Sequence, residues 1–98
     1  NEVNIYDIVE EIAEDNLHPA AKTILKYDKD NNTELLKTLK TYYAQGQNMN
    51  STAEKLYVHR NTVKYRLDKI KELTQLDINE HKTRMQIELS LLKIELEN

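Results

Sequence analysis

Two short helical stripes separated by a tight turn restrict the fold of this chain more than any other feature. Within residues 48–73, Ala53 and Leu56 lie three positions apart, on one face of a short helix. The apolar residues of a second helix then recur at steps of four, three and three: Val63, Leu67, Ile70 and Leu73. Such steps place side chains on one side of an α-helix. Val58 stands between the stripes, where a turn residue fills the angle between crossing helices, so the pattern predicts a helix-turn-helix.

The composition favours helices throughout the chain. One Gly and one Pro among 98 residues leave little material for hairpin turns, while Leu, Lys, Glu and Ile are abundant. We therefore predict a small all-α domain of five or six helices. It divides into an N-terminal helical support segment (residues 1–31), a helix-turn-helix core (32–75) and a C-terminal helix (76–98).

Capping residues and breaks in periodicity predict the other helix boundaries. The apolar spacing predicts a helix over residues 4–15, and Pro19 begins a second helix that we expect to end at Tyr27. Residues 26–32 then form a polar connection. Asn32 is the expected N-cap of a third helix, and Gly46 is the expected stop.

The first helix of the motif and the last helix of the chain also begin with asparagine. Asn48 and Asn50 are both candidate N-caps for the former, and Asn79 is the candidate for a helix over residues 80–97. That last helix carries two apolar stripes: Met85, Leu89, Leu92 and Leu96, and Ile87, Leu91 and Ile94. One stripe suffices for docking on the domain. The other predicts a homodimer through this helix, unless a small bundle covers both stripes by itself.

Charge is distributed unevenly along the chain. Residues 1–34 hold three Lys and nine acidic residues (net −6), residues 35–75 hold eight Lys or Arg and three acidic residues (net +5), and residues 76–98 have a net charge of −2. The basic stretch coincides with the predicted helix-turn-helix. Because the local potential governs phosphate binding, the overall charge of −3 does not argue against a nucleic-acid partner.

The run LYVHRNTVKYRLDKIKELTQLD, residues 56–77, closely resembles the C-terminal DNA-binding domain of the PucR/CdaR family of bacterial transcriptional regulators. Residues 33–55 match the same family. The resemblance implies a sequence-specific module that binds double-stranded DNA, at the end of a longer protein with an upstream sensory domain. Tyr57 departs from the general helix-turn-helix pattern, in which this turn position is often Gly. The turn is therefore either strained or different in geometry.

The basic helix, residues 59–73, carries most candidate DNA contacts. Asn61, Tyr65 and Asp68 lie opposite the apolar stripe, with Lys64 beside them. Arg60 projects from the first turn, where a recognition helix in the major groove contacts base edges. Arg suits guanine O6 and N7, and Asn suits adenine N6 and N7. We therefore expect Arg60 and Asn61 to contact bases.

Other residues of this helix suit different contacts. Side chains better placed for phosphates are Thr62, Lys64 and Arg66. Tyr65 suits the DNA backbone or a thymine methyl group, and His59 either caps the helix or contacts DNA. Asp68, four residues after Lys64, is placed to orient that side chain.

A second group of candidate contacts begins the first helix of the motif. Asn50, Ser51 and Thr52 are short polar residues at its N-terminal end. Together with backbone N–H groups and the helix dipole, they can form a phosphate clamp. The same residues also serve as plain helix caps, and the two roles are compatible.

Enzyme chemistry is not expected. There is no Cys, the three His residues are far apart, and no Gly-rich phosphate loop is present. We accordingly expect no cofactor, no metal site, a cytoplasmic location and no membrane span. Because the chain begins with Asn1, we expect it to be a piece of a longer protein. The alternative is a helical module for protein interaction or dimerisation, although a protein-docking helix would carry apolar anchors outward.

Overall fold

The computed structural model describes residues 4–11 and 17–97. These ranges contain six helices and no strand, which confirms the all-α prediction. The helices are α1 (Ile5–Glu10), α2 (Pro19–Asn31), α3 (Leu35–Ala44), α4 (Met49–Leu56), α5 (Arg60–Thr74) and α6 (His81–Glu97). Within the same ranges, no helix combines the length and the apolar character that crossing a membrane requires.

Helix α3 lies at the centre of the domain and packs against α2, α4, α5 and α6. Its buried face includes Leu39, Tyr42 and Tyr43. The Tyr43 hydroxyl donates a hydrogen bond to the Ile78 carbonyl (2.9 Å), and burial raises the pKa of Tyr43 well above its usual range. The core comprises Ala20, Ile24, Leu35, Leu39, Tyr42, Tyr43, Ala53, Val63, Leu67, Ile70, Ile78, Ile87 and Leu91.

Helix α2 is longer than predicted, and the expected connection at residues 26–32 is wrong. The helix continues to Asn31, and the chain turns only at Asn32, which has a left-handed φ of 52°. The polar residues of this stretch form the last one and a half turns of α2, which are mostly exposed to solvent. Lys26 pairs there with Asp30, four residues later. In the first predicted helix, Ile5–Glu10 is helical, whereas residues 12–15 lie outside the described residues.

The N-terminus of α3 is capped by Asp28, and the prediction of Asn32 as its N-cap is wrong. The Asp28 carboxylate accepts the backbone N–H groups of Leu35 (2.8 Å) and Leu36 (2.9 Å) and the Thr33 hydroxyl (2.6 Å). A side chain of α2 therefore satisfies two N–H groups that have no partner inside α3. Asn32 instead ends α2 as its C-cap.

Gly46 stops α3 as predicted. Its φ of +67° lies in the left-handed region that favours glycine, and the helix ends two residues earlier at Ala44. The N–H of Gln47 then bonds back to the Tyr42 carbonyl (2.8 Å). This geometry is the usual way of satisfying the last carbonyls of a helix.

The last helix is capped by Glu80, and the prediction of Asn79 as its N-cap is wrong. The Glu80 carboxylate accepts the N–H groups of Lys82 (3.1 Å) and Thr83 (2.7 Å), chiefly the latter lowering the pKa of Glu80. The Asn79 side-chain oxygen is used elsewhere: it accepts hydrogen bonds from the Tyr42 hydroxyl (2.9 Å) and the Gln47 amide (2.8 Å).

The domain buries most of one apolar stripe of α6 and part of the other, in which Leu89 and Leu92 are half-buried. Ile87 and Leu91 are buried in the core, whereas Met85 and Leu96, at the ends of the other stripe, are 51% and 42% exposed. Helix α1 packs against α6 as well, and the Lys93 ammonium group donates a hydrogen bond to the Glu10 carbonyl (3.0 Å).

Replacing Asp28 tests whether its side chain stabilises the corner between α2 and α3 by capping α3. We expect Asp28→Ala to lower the free energy of unfolding by about 1–2 kcal/mol, because two N–H groups lose their acceptor. Asp30→Ala removes an exposed carboxylate whose ion pair lies within α2, and it should cost less than about 0.5 kcal/mol. Urea unfolding of both variants makes the comparison. Equal losses would contradict the capping role of Asp28.

Candidate nucleic-acid interface

The first helix of the motif begins at Asn48. Of the two candidate N-caps, Asn48 holds this position, and its side chain accepts the N–H of Ser51 (2.9 Å). Asn50 is exposed and Ser51 is half-buried in the first turn of α4. Both side chains lie at the N-terminal end of the helix, where the dipole and free N–H groups attract anions.

Thr52 is not available for the predicted phosphate contact. Its side chain is 0% exposed, and its hydroxyl donates a hydrogen bond to the Asn48 carbonyl (2.7 Å). The backbone N–H of Thr52 also bonds to this carbonyl (3.0 Å). Thr52 therefore belongs to the interior of the first turn, and we remove it from the set of candidate contacts.

The turn between α4 and α5 places a tyrosine in a left-handed conformation. Tyr57 has φ 57° and ψ 42°. Of the two alternatives that the sequence left open, a strained turn or a turn of different geometry, the structure therefore has the strained turn. The Val58 N–H bonds back to the Ala53 carbonyl (3.0 Å), and Val58 packs against the core as predicted. The Tyr57 ring is 95% exposed, so burial of the ring does not offset the strain.

His59 caps the basic helix α5. Its Nδ1 atom accepts the backbone N–H of Asn61 (2.9 Å), and α5 itself starts at Arg60. A neutral imidazole that accepts through Nδ1 carries its proton on Nε2. The exposed His59 side chain is therefore a helix cap and, at the same time, carries an N–H donor beside Arg60.

The two faces of α5 follow the predicted pattern. Val63, Leu67 and Ile70 are buried. The residues of the outward face are all exposed: Arg60, Asn61, Lys64, Tyr65 and Asp68. Asp68 pairs with Lys64 at 2.8 Å, as its spacing predicted. The pair is solvent-exposed on both sides, so it orients Lys64 and contributes little to stability.

One flank of α5 faces the corner between α2 and α3. The Arg66 guanidinium donates a hydrogen bond to the Thr38 hydroxyl (3.1 Å), and Lys69 lies over the Tyr27 ring at 5.3 Å from its centroid. Arg66, predicted to contact phosphate, is thus half-buried and bonded within the domain. Thr62 lies on the same flank and is half-buried.

Lys69 is a residue of this surface that the sequence prediction missed. The nearby Glu72 carboxylate and the Tyr27 ring raise the pKa of Lys69. Its spacing from Thr62 and Arg66, seven and three residues, is helical and could have placed it on their flank. In the described ranges, no group of His, Asp or Glu side chains is arranged to hold a metal ion.

The family follows from a match that covers more than half of the chain. Residues 35–92, from the start of α3 into α6, match the family described as the PucR C-terminal helix-turn-helix domain. The chain belongs to this family. The match spans the central helix, both helices of the motif and the buried residues Ile87 and Leu91 of α6, whereas α2, which also packs on α5, precedes it.

Three curated relatives of this PucR-type domain are regulators by name. The proline-responsive transcriptional activator PutR of Bacillus subtilis is 40% identical over 65 residues, which are 66% of this chain and 16% of PutR. The purine catabolism regulatory protein of Bacillus subtilis is 44% identical over 57 residues (58% of this chain, 11% of that protein). The carbohydrate diacid regulator of Escherichia coli is 37% identical over 62 residues (63% and 16%).

The chain therefore spans about a sixth or less of the length of these relatives. No solved structure is significantly similar to it. The family match and the helical fold of the described residues together make this a helix-turn-helix domain of the transcription-regulator type, which supports a role in DNA binding.

Two substitutions of His59 separate helix capping from other roles. His59→Asn replaces one capping side chain by another, and we expect the free energy of unfolding to change by less than about 0.5 kcal/mol. His59→Ala removes the acceptor for Asn61 and should cost about 1 kcal/mol. Thermal unfolding at neutral pH measures both. A loss for the Asn variant as large as that for Ala would contradict the cap.

Proposed function

We propose that this domain binds double-stranded DNA in a sequence-specific manner, with residues 59–73 as the recognition helix in the major groove. The observation that carries the proposal is the outward face of α5. It presents a guanidinium, an amide, a phenol and an ammonium group paired with the Asp68 carboxylate, while the opposite face is buried in the core. A helix that docks on protein would present apolar anchors at these positions.

In this proposal, the first turn of α5 contacts bases. Arg60 and Asn61 are exposed there, and their planar groups suit bidentate contacts with guanine and adenine respectively. The N-cap bond of His59 holds the backbone of Asn61 in place, which limits the entropy lost on binding. His59 additionally donates its Nε2–H to the DNA backbone.

Phosphate contacts then determine the position of the helix along the groove. Asn50 and Ser51 lie at the N-terminus of α4, and Lys64 and Tyr65 lie on the outward face of α5. Thr62, on the flank of α5 that faces α2 and α3, is a further phosphate contact. Arg66 supports the site from within, because its hydrogen bond to Thr38 joins α5 to the central helix. These contacts carry no sequence information of their own.

We further propose that the domain is one part of a longer regulator and that it pairs through α6. The relatives' greater length supports an upstream sensory domain. The exposed Met85 and Leu96 support an apolar contact between two copies. The support segment (1–31), the core (32–75) and the C-terminal helix (76–98) act as one folded unit, since α2 packs on α3, α5 and α6.

The rival function is a protein-interaction module that lacks sequence-specific DNA binding. The apolar residues that such a module would use are present on α6 and α1, away from α5: Met85, Leu96, Ile5, Tyr6 and Ile8. They support a second surface beside the DNA-binding surface, and they do not account for the polar face of α5.

Substitutions on α5 test base contact against phosphate contact. Arg60→Ala should cost about 1–3 kcal/mol on the preferred duplex and relax the preference at one position. Lys64→Gln should weaken preferred and random duplexes alike and reduce the salt dependence, d log K/d log[salt], by about one. Titrations of both duplexes at several salt concentrations measure these effects. Equal weakening of both duplexes by Arg60→Ala would overturn its assignment to base contact.

The oligomeric state tests the role of α6. We expect Leu96→Glu to give a monomer, because it puts a charge on the exposed apolar stripe. Leu25→Glu is the matched control, since Leu25 lies on α2 with a similar exposure (40% against 42% for Leu96). Sedimentation equilibrium of the unsubstituted and variant chains gives the masses. A monomer mass at all concentrations for the unsubstituted chain, free and DNA-bound, would exclude the dimer.

A further inference from the structure

A cleft lies along one flank of the basic helix. It has a volume of about 360 Å³ and runs between α5 and the corner where α2 meets α3. Its lining residues are Tyr27, Asn32, Thr33, Glu34, Leu35, Thr62, Tyr65, Arg66 and Lys69. Two of these residues are cationic and one is acidic, so the lining itself has a net positive charge.

The other flank of α5 faces a different part of the domain. There, Lys64, Asp68 and Lys71 line a second cleft together with Met49, the first residue of α4. The N-terminus of α4, with Asn50 and Ser51, is thus on the opposite side of α5 from the α2–α3 corner. The outward face of α5 lies between these two flanks.

A helix in the major groove lies between two phosphate strands. The groove of B-DNA is about 12 Å wide, so a helix that fills it meets one strand on each flank. Of the contacts proposed above, those at α4 and Lys64 serve only one of these strands, and Thr62 and Tyr65, which line the cleft, bring no cation to the other. The second strand needs donors on the flank formed by Thr62, Arg66 and Lys69.

We propose that the cleft between α5 and the α2–α3 corner binds phosphates of this second strand, with Lys69 as its charged donor. The inference rests on the proposed function, because it assumes that α5 enters the groove. Asn32 and Thr33, in the corner itself, extend the contact with polar groups beyond α5. The domain then holds both strands, one through α4 and one through α2 and α3.

Contacts within the domain already position the Lys69 side chain for phosphate binding. Its side chain is 23% exposed, the Tyr27 ring lies beneath its ammonium group, and the Glu72 carboxylate is 3.5 Å away. These contacts restrict the side chain before DNA arrives, so binding costs less conformational entropy. The long pair with Glu72, whose side chain is 69% exposed, leaves donors of the ammonium group for a phosphate.

Glu34 is the acidic residue in the lining, and it opposes a phosphate. Its side chain makes no capping hydrogen bond to α3 and instead pairs with Lys37 at 3.4 Å. Removing its charge should therefore strengthen DNA binding without loss of a helix cap. Lys69 and Glu34 consequently provide substitutions with opposite expected signs in one cleft.

The experiment measures the affinity of the complete chain for a duplex selected from a random pool, as a function of salt. Lys69→Gln should reduce the salt dependence by about one and weaken binding about fivefold near 0.15 M salt. Glu34→Gln should strengthen binding. The matched controls are Lys40→Gln and Glu95→Gln, which break an ion pair between α3 and α6. In the described residues α6 packs on α1, α2 and α3 and has no contact with α5.

The outcomes are distinguishable. Opposite effects of Lys69→Gln and Glu34→Gln, each larger than that of its control, support the cleft. If both behave like their controls while Lys64→Gln still lowers the salt dependence, the inference is overturned and the proposed function stands. If no duplex binds even at low salt, both fail. Circular dichroism of each variant verifies its helical content, and the gain expected for Glu34→Gln cannot arise from misfolding.

Discussion

The burial of one face of α5 is the constraint on which the rest of the site depends. Val63, Leu67 and Ile70 are buried against helices α2, α3 and α4. Burial of each such side chain contributes about 1.5–3 kcal/mol. Rotating α5 about its axis would expose all three, so the outward direction of Arg60 and Asn61 follows from core packing. The direction of the polar face is therefore fixed before any partner arrives.

The start of α5 combines strain with capping. Tyr57 stays in a left-handed conformation that its side chain disfavours, and the chain then enters the helix through the His59 cap. Strain of this kind costs about 1–2 kcal/mol and persists where the surrounding packing requires it. Here the packing of Val58 on the core and the bond from Val58 to Ala53 hold the turn.

Sequence patterns predicted several features that depend on neighbours along the chain. The apolar steps in α5, the stop at Gly46 and the Lys64–Asp68 pair are all local, and each agrees with the structure. Features that depend on distant residues were missed. Asp28 caps α3 from the preceding helix, and Asn79 bonds to Tyr42 rather than to its own helix.

The same distinction between local and tertiary features applies to the candidate site. Which residues of α5 point outward follows from periodicity alone, and the exposed positions are those predicted. Whether a polar side chain is free is a tertiary question. The bond from one Arg66 N–H to Thr38 is a tertiary contact, whereas Thr52 bonds locally to the Asn48 carbonyl four residues earlier. Helical spacing alone places Lys69 on the flank of Thr62 and Arg66, but its contact with the Tyr27 ring depends on the packing of α2 beside α5.

The central claim is that the polar face of α5 recognises a DNA sequence. The most direct measurement is a binding selection of the chain from a pool of random duplexes at near-physiological salt. The account predicts enrichment of an inverted repeat, with half-sites about one helical turn apart. Binding without enrichment would contradict sequence recognition by α5, and no binding even at low salt would contradict DNA as the partner.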